Sequence, residues 1–127
     1  MVGVYNKEAL VQLADFAELF AYTPQLRLKL NGPYALQYRK QINRFVDIFC
    51  AASLADADYA VLQTEPRQFE SPAQWIAQAD LSRVLKSITY VVFTDRTMEG
   101  YFMQRVKDGT MNQLLKRLDW LLRQEGD

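Results

Sequence analysis

The chain has 127 residues, a length that predicts one domain over residues 1–127 with a core of its own, and with half its residues apolar and about a quarter charged its composition is ordinary for a globular protein. Fifteen basic residues balance fifteen acidic ones, so no global field draws in nucleic acid or an anionic membrane surface. Histidine is absent and cysteine occurs once, which excludes Ser-His and Cys-His nucleophile pairs, histidine general bases, the commonest zinc ligand and an internal disulfide.

Any catalysis would have to run on carboxylates, Lys, Tyr or Arg. No catalytic set, cofactor motif or metal-ligand spacing stands out, and none is expected. Cys50 alone fits a reducing compartment. The N-terminus lacks the basic-then-apolar layout of a signal peptide, and no apolar run approaches a membrane span, so a cytoplasmic location is expected.

Asn6 is placed to cap a first helix in which Leu10, Leu13, Ala17 and Phe20 share a face, with Phe16 beside it, and Thr23-Pro24 ends that helix. Leu26, Arg27, Leu28, Lys29 and Leu30 then alternate strictly. Such a segment near Leu26–Leu30 fits a short strand or, better, an extended connector, because a lone strand is unstable without a partner. Asn31-Gly32-Pro33 is turn chemistry, with Pro33 suited to open a long helix that reaches about Ser53. Tyr38, Ile42, Phe45 and Phe49 run down one side of it, widened by Val46 and Cys50. On that stripe Cys50 reads as a small core residue rather than a reactive thiol.

From Ala55 to Ala79 the pattern weakens. Asp56 to Leu62 fits a short helix, Glu65-Pro66 breaks it, and Ser71-Pro72-Ala73-Gln74 opens a short turn around Trp75. Asp56 and Asp58 lack the further oxygen ligands of a calcium loop, so capping explains them better. Charge is uneven: Arg27, Lys29, Arg39, Lys40 and Arg44 share a region without acidic residues, and Asp47 to Glu70 is mostly acidic. A solvated helix face, or complementary packing between segments or subunits, accounts for this better than phosphate or RNA binding.

The stretch from Asp80 to Leu122 organises the rest. Asp80 can accept the free N–H groups of a helix opening at Leu81, in which Leu81, Val84, Leu85, Ile88, Val91 and Val92 recur at helical spacing. The stripe runs on through Asp95, Met98, Phe102 and Val106, and Asp95 is its one polar member. An unbroken helix would turn Asp95 into the core, where it needs a partner; a break near Thr94 would make it a first-turn residue of a new helix. Gly109 fits a left-handed C-cap, Thr110 with Gln113 fits a capping box, and Met111, Leu114, Leu115, Leu118, Leu121 and Leu122 stripe a final helix. The fold class is all-α, a compact bundle of about five helices.

Asp80-Leu81, Ile88-Thr89-Tyr90, Asp95-Arg96, Gly100, Asp108-Gly109 and Leu114-Leu115-Lys116-Arg117-Leu118 together resemble an uncharacterised family of small bacterial proteins, a domain of unknown function. The similarity is clearest over Asp80–Leu118 and weak over Phe45–Tyr59. Phe93 and Thr97 depart from it, standing where the family tends to have Arg and Phe. The resemblance implies a mostly helical fold, a bacterial source and no particular activity.

Two functional readings follow. In the first, Tyr90, Asp95, Arg96, Glu99 and Tyr101 line a polar pocket for a small molecule, with Asp95 and Glu99 on one helix face and able to share acid–base work. Against it, Arg96 and Glu99 are spaced for a simple surface ion pair, and the structural account of these charges is the better supported. In the second, Trp120, beside the last helix's leucine stripe, and Trp75, in a poorly patterned segment, mark an interface with a second copy of the chain or with another protein. A nucleic-acid role, with the last two helices as a helix-turn-helix, ranks third because the final helix is leucine-rich and the chain is neutral. A small interaction module is the preferred reading.

Overall fold

A computed structural model describes residues 6–21, 35–54 and 75–125. Among these residues there are five helices and no strand: α1 (Lys7–Ala14), α2 (Ala35–Ala51), α3 (Leu81–Thr97), α4 (Tyr101–Lys107) and α5 (Thr110–Glu125). The Leu26–Leu30 alternation, the Asn31-Gly32-Pro33 turn and the expected elements from Ala55 to Gln74 lie outside the described residues.

α5 is the hub. It packs on α1, α3 and α4, while α2 packs on α1 and α4 on α3. The predicted stripe explains this: Met111, Leu114, Leu115, Leu118 and Leu122 are all buried, and the exposed ridge carries Lys116, Trp120 and Arg123. α3 is buried on more than one side, since Ser87 and Thr89 are enclosed along with its apolar stripe. Both hydroxyls bond back into the helix, Ser87 Oγ to Arg83 O at 2.8 Å and Thr89 Oγ1 to Leu85 O at 2.7 Å, which removes the cost of burying them.

Four phenylalanines tie the elements together. Phe20 lies 5.4 Å from Phe45, 5.5 Å from Phe102 and 5.6 Å from Phe16, ring centre to ring centre. Most of these pairs are edge-to-face, the arrangement that ring quadrupoles favour. The cluster thus joins the turns after α1 to α2 and α4. Tyr38 closes its edge by donating from its hydroxyl to Leu19 O at 3.1 Å, and burial pushes this phenol well above its ordinary pKa.

Helix ends follow local rules. Asn6 Oδ1 accepts from Ala9 N at 3.1 Å, so the predicted cap of α1 is present. The helix itself stops at Ala14, well before Thr23-Pro24. Phe16 N and Ala17 N bond three residues back, to Leu13 O and Ala14 O, and these tighter turns keep Phe16, Ala17 and Phe20 all inside. α2 ends in a Schellman motif: Leu54 N bonds to Phe49 O, Ser53 N bonds to Cys50 O, and Ser53 takes the left-handed conformation at φ +55°. Tyr38, Ile42, Phe45 and Phe49 are buried as their spacing predicts, but Cys50 is exposed. The buried arc of α2 is narrower than the sequence suggests, and Cys50 lies beyond its edge.

Asp80 Oδ1 accepts from Arg83 N at 2.8 Å, capping α3 as expected. The helix then continues unbroken through Thr94 and Asp95 and stops only at Thr97. Met98 leaves helical geometry and is exposed, so the apolar stripe does not run straight into α4. Gly100 restarts the chain at φ +90°, a conformation that only glycine adopts cheaply. Gly109 follows α4 at φ +85°, the predicted left-handed cap.

Candidate functional site

The corner between α3 and α4 holds the residues that the sequence nominates as a pocket. α4 opens on Gly100, which has no side chain with which to cap it. Asp95 fills that role from the last turns of α3: its Oδ1 accepts from Phe102 N at 3.0 Å. Asp95 is therefore neither an isolated buried charge nor a first-turn residue of a new helix. It is half-buried, and one of its oxygens is occupied by the backbone.

The partners imagined for it stand elsewhere. Arg96 is exposed; its guanidinium lies 4.5 Å from the Phe93 ring centre, and Nη2 donates to Cys50 Sγ at 3.6 Å. Glu99 is exposed in the turn beyond α3, so it does not share a helix face with Asp95, and among the described residues it makes no ion pair with Arg96. Tyr90 and Tyr101 do meet, edge to face at 6.0 Å. Tyr101 is covered on its other side by Arg105, 4.8 Å from its ring centre, and Arg105 Nε pairs with Asp108 Oδ2 at 3.1 Å. Burial, opposed by Arg105 and reinforced by Tyr90, pushes the Tyr101 phenol up to about 12.

Asp108 serves two elements at once. While Oδ2 holds Arg105, Oδ1 accepts from Thr110 N at 2.9 Å and caps α5. The Thr110–Gln113 capping box does not form, because Thr110 already lies inside the helix. Its hydroxyl is buried without a hydrogen-bond partner among the described residues. Apart from that hydroxyl, the corner is a set of caps, stacks and one ion pair. Of the five nominated residues, the structure brings together Tyr90 and Tyr101 and leaves Arg96 and Glu99 outside. Arg105, which the sequence reading missed, is legible in principle: it stands one turn after Tyr101 and three residues before Asp108.

The two tryptophans are arranged differently. Trp120 projects from α5 and is 49% exposed, the largest side chain left so open among the described residues. Arg117 lies over it, 4.4 Å from the ring centre, and is itself fixed by donating from Nε to Ala79 O at 2.9 Å. Trp75 is half-buried near the start of the segment that leads to Ala79, and Arg83 lies 4.9 Å from its ring centre. One arginine thus ties Trp120 to the segment that carries Trp75.

On the other flank of α5, towards α1, runs an open groove of about 520 Å³ lined by Ala14, Asp15, Ala17, Glu18, Lys116, Asp119 and Arg123. Its existence follows from small residues: Ala14 and Ala17 face α5 where larger side chains would close the gap. Asn112 Nδ2 reaches across to Ala17 O and fixes one end. Asp119 and Arg123 pair with each other at 2.9 Å, whereas Asp15, Glu18 and Lys116 make no ion pair among the described residues. No group of three acidic, cysteine or histidine residues among the described residues could hold a metal ion, and none of the described helices is long and apolar enough to cross a membrane.

No curated protein and no solved structure matches the chain. A family of unknown function, DUF6508, matches residues 11–124, from within α1 to the last turn of α5. The chain belongs to that family.

Proposed function

We propose that this chain is a self-associating interaction module of the cytoplasm rather than an enzyme, with Trp120 as the anchor of the contact. The observation that carries this reading is Trp120 itself, 49% exposed on the hub helix and held under an arginine that is pinned to the backbone. A rigid, half-solvated aromatic loses little conformational freedom on binding, and Trp and Arg are both among the residue types enriched where interface energy concentrates. Of the residues nominated for a small-molecule pocket, Asp95 serves as a cap, Tyr90 and Tyr101 stack on each other, and Arg96 and Glu99 stand exposed outside the corner, which lowers the support for a ligand site there.

Light scattering behind size exclusion, run from micromolar to near-millimolar protein, tests the reading. The expected result is a mass that climbs from one chain toward two as concentration rises. A monomer mass that stays constant over the whole range contradicts it.

A further inference from the structure

We infer that Arg117 is the positioning residue of this contact: it holds the Trp120 indole in one orientation with one ring face open, so that a second copy meets a rigid anchor from a single side. This rests on the self-association reading and adds what sets the anchor and how far association depends on it. Three observations carry it.

The first is spacing. Arg117 and Trp120 stand three apart on α5, where side chains are neighbours, and the guanidinium carbon lies 4.4 Å from the indole centre. A guanidinium is planar and cationic, so it can stack on the electron-rich face of a ring as an ammonium cannot. One face of the indole is thereby covered, while the residue as a whole stays 49% exposed. The face that Arg117 leaves open is the one a partner can touch.

The second is the arginine's own anchor. A long surface side chain has many rotamers, and one that wandered among them would hold nothing in place. Arg117 is half-buried and donates from Nε to Ala79 O at 2.9 Å. That carbonyl is itself well fixed: Ala79 is buried, its N–H bonds to Ile76 O, and the next residue, Asp80, caps α3. The guanidinium is therefore held between α5 and the start of α3. The other cations within a turn of Trp120 do not replace it, since Lys116 is exposed and Arg123 pairs with Asp119.

The third is that core packing does not hold the indole, because Trp120 takes no part in the apolar core. Without Arg117 it would sample several staggered wells and give up that freedom on binding. Ordering one such side chain costs roughly two- to tenfold in affinity. A symmetric dimer carries two of them, so losing the clamp should weaken it on the order of tenfold.

Trp75→Phe leaves Trp120 as the one remaining tryptophan of the two in the chain, so time-resolved fluorescence anisotropy can follow its motion. In that background Arg117→Lys keeps the charge without the planar fork, and Arg117→Met keeps an apolar stem without the charge. With Arg117 present, the indole of the dilute monomer should tumble with the whole protein. Both variants should add a fast local component, and sedimentation equilibrium should show dimers weakened on the order of tenfold. Unchanged anisotropy or an unchanged dimer constant overturns the proposal, since a role confined to holding the fold would move only the melting temperature. A fast-moving indole with Arg117 in place overturns it as well, with no substitution at that position. Those outcomes leave self-association standing where the Arg117 protein dimerises, whereas a protein that stays monomeric at every concentration overturns both.

Discussion

Asp95 shows how a charge can be fixed in place by the backbone it serves. Its carboxylate supplies the acceptor that Gly100 lacks, so removing it strands the Phe102 N–H at the start of a seven-residue helix. Asp95→Ala should cost about 1 kcal/mol in a denaturant titration, whereas Asp95→Asn keeps an oxygen acceptor and should retain most of the stability. Equal losses for the two variants would show that the charge, not the cap, is what matters. Tyr101 gives a pH signature at the same corner. Its phenol rises from 10.0 to about 12 on folding, chiefly through burial, so the folded state holds the proton more tightly than the unfolded chain. That contribution is fully present below pH 10 and is lost as the pH climbs from 10 toward 12. Tyr101→Phe should flatten the stability curve over that window, and a curve that falls just as steeply would point to another group.

The elements that could be read from the sequence are the ones whose determinants are local. Asp80 capping α3, Gly109 closing α4 and the leucine stripe of α5 each depend on residues within a turn or two, and each is present. The break between α3 and α4 was harder to place. The sequence leaves open an unbroken helix or a break near Thr94; α3 runs unbroken to Thr97, and the left-handed Gly100 decides where the next helix starts. Spacing puts Cys50 on the stripe of α2 yet it is exposed, because spacing gives the direction of a side chain but not the width of the arc that its neighbours cover.

Two ends are poorly matched to their residues. Ser53 holds a left-handed conformation that costs an L-residue roughly 1–2 kcal/mol, so Ser53→Gly should raise stability by about 0.5–1 kcal/mol after the added chain entropy is counted. Thr110 buries a hydroxyl without a partner among the described residues; Thr110→Val keeps its shape and should gain roughly 1 kcal/mol. A loss on either substitution, measured by equilibrium unfolding, would contradict these assignments.

At the scale of the whole molecule, the features that bear on function were the least visible. Asp15 and Glu18 meet Lys116, Asp119 and Arg123 only because α1 packs on α5, and about a hundred residues separate the two walls in sequence. No local period reports such a meeting. Trp120 was visible, since it falls beside the leucine stripe, but its stacking under Arg117 and the tie from Arg117 to Ala79 needed the tertiary fold. What distinguishes this molecule is a pre-set aromatic on the hub helix with a charged groove on the other flank of that helix.

The most direct measurement is sedimentation equilibrium of the wild type beside Trp120→Ala, each over the same range of concentrations. Thermal melts of the two should nearly coincide, because Trp120 is not part of the core. An anchor residue contributes at least about 2 kcal/mol to an interface and a symmetric dimer holds two of them, so the variant should dimerise on the order of 1,000-fold more weakly than the wild type. Identical dimer constants for the two proteins, or a wild type that remains a monomer throughout, would contradict the account.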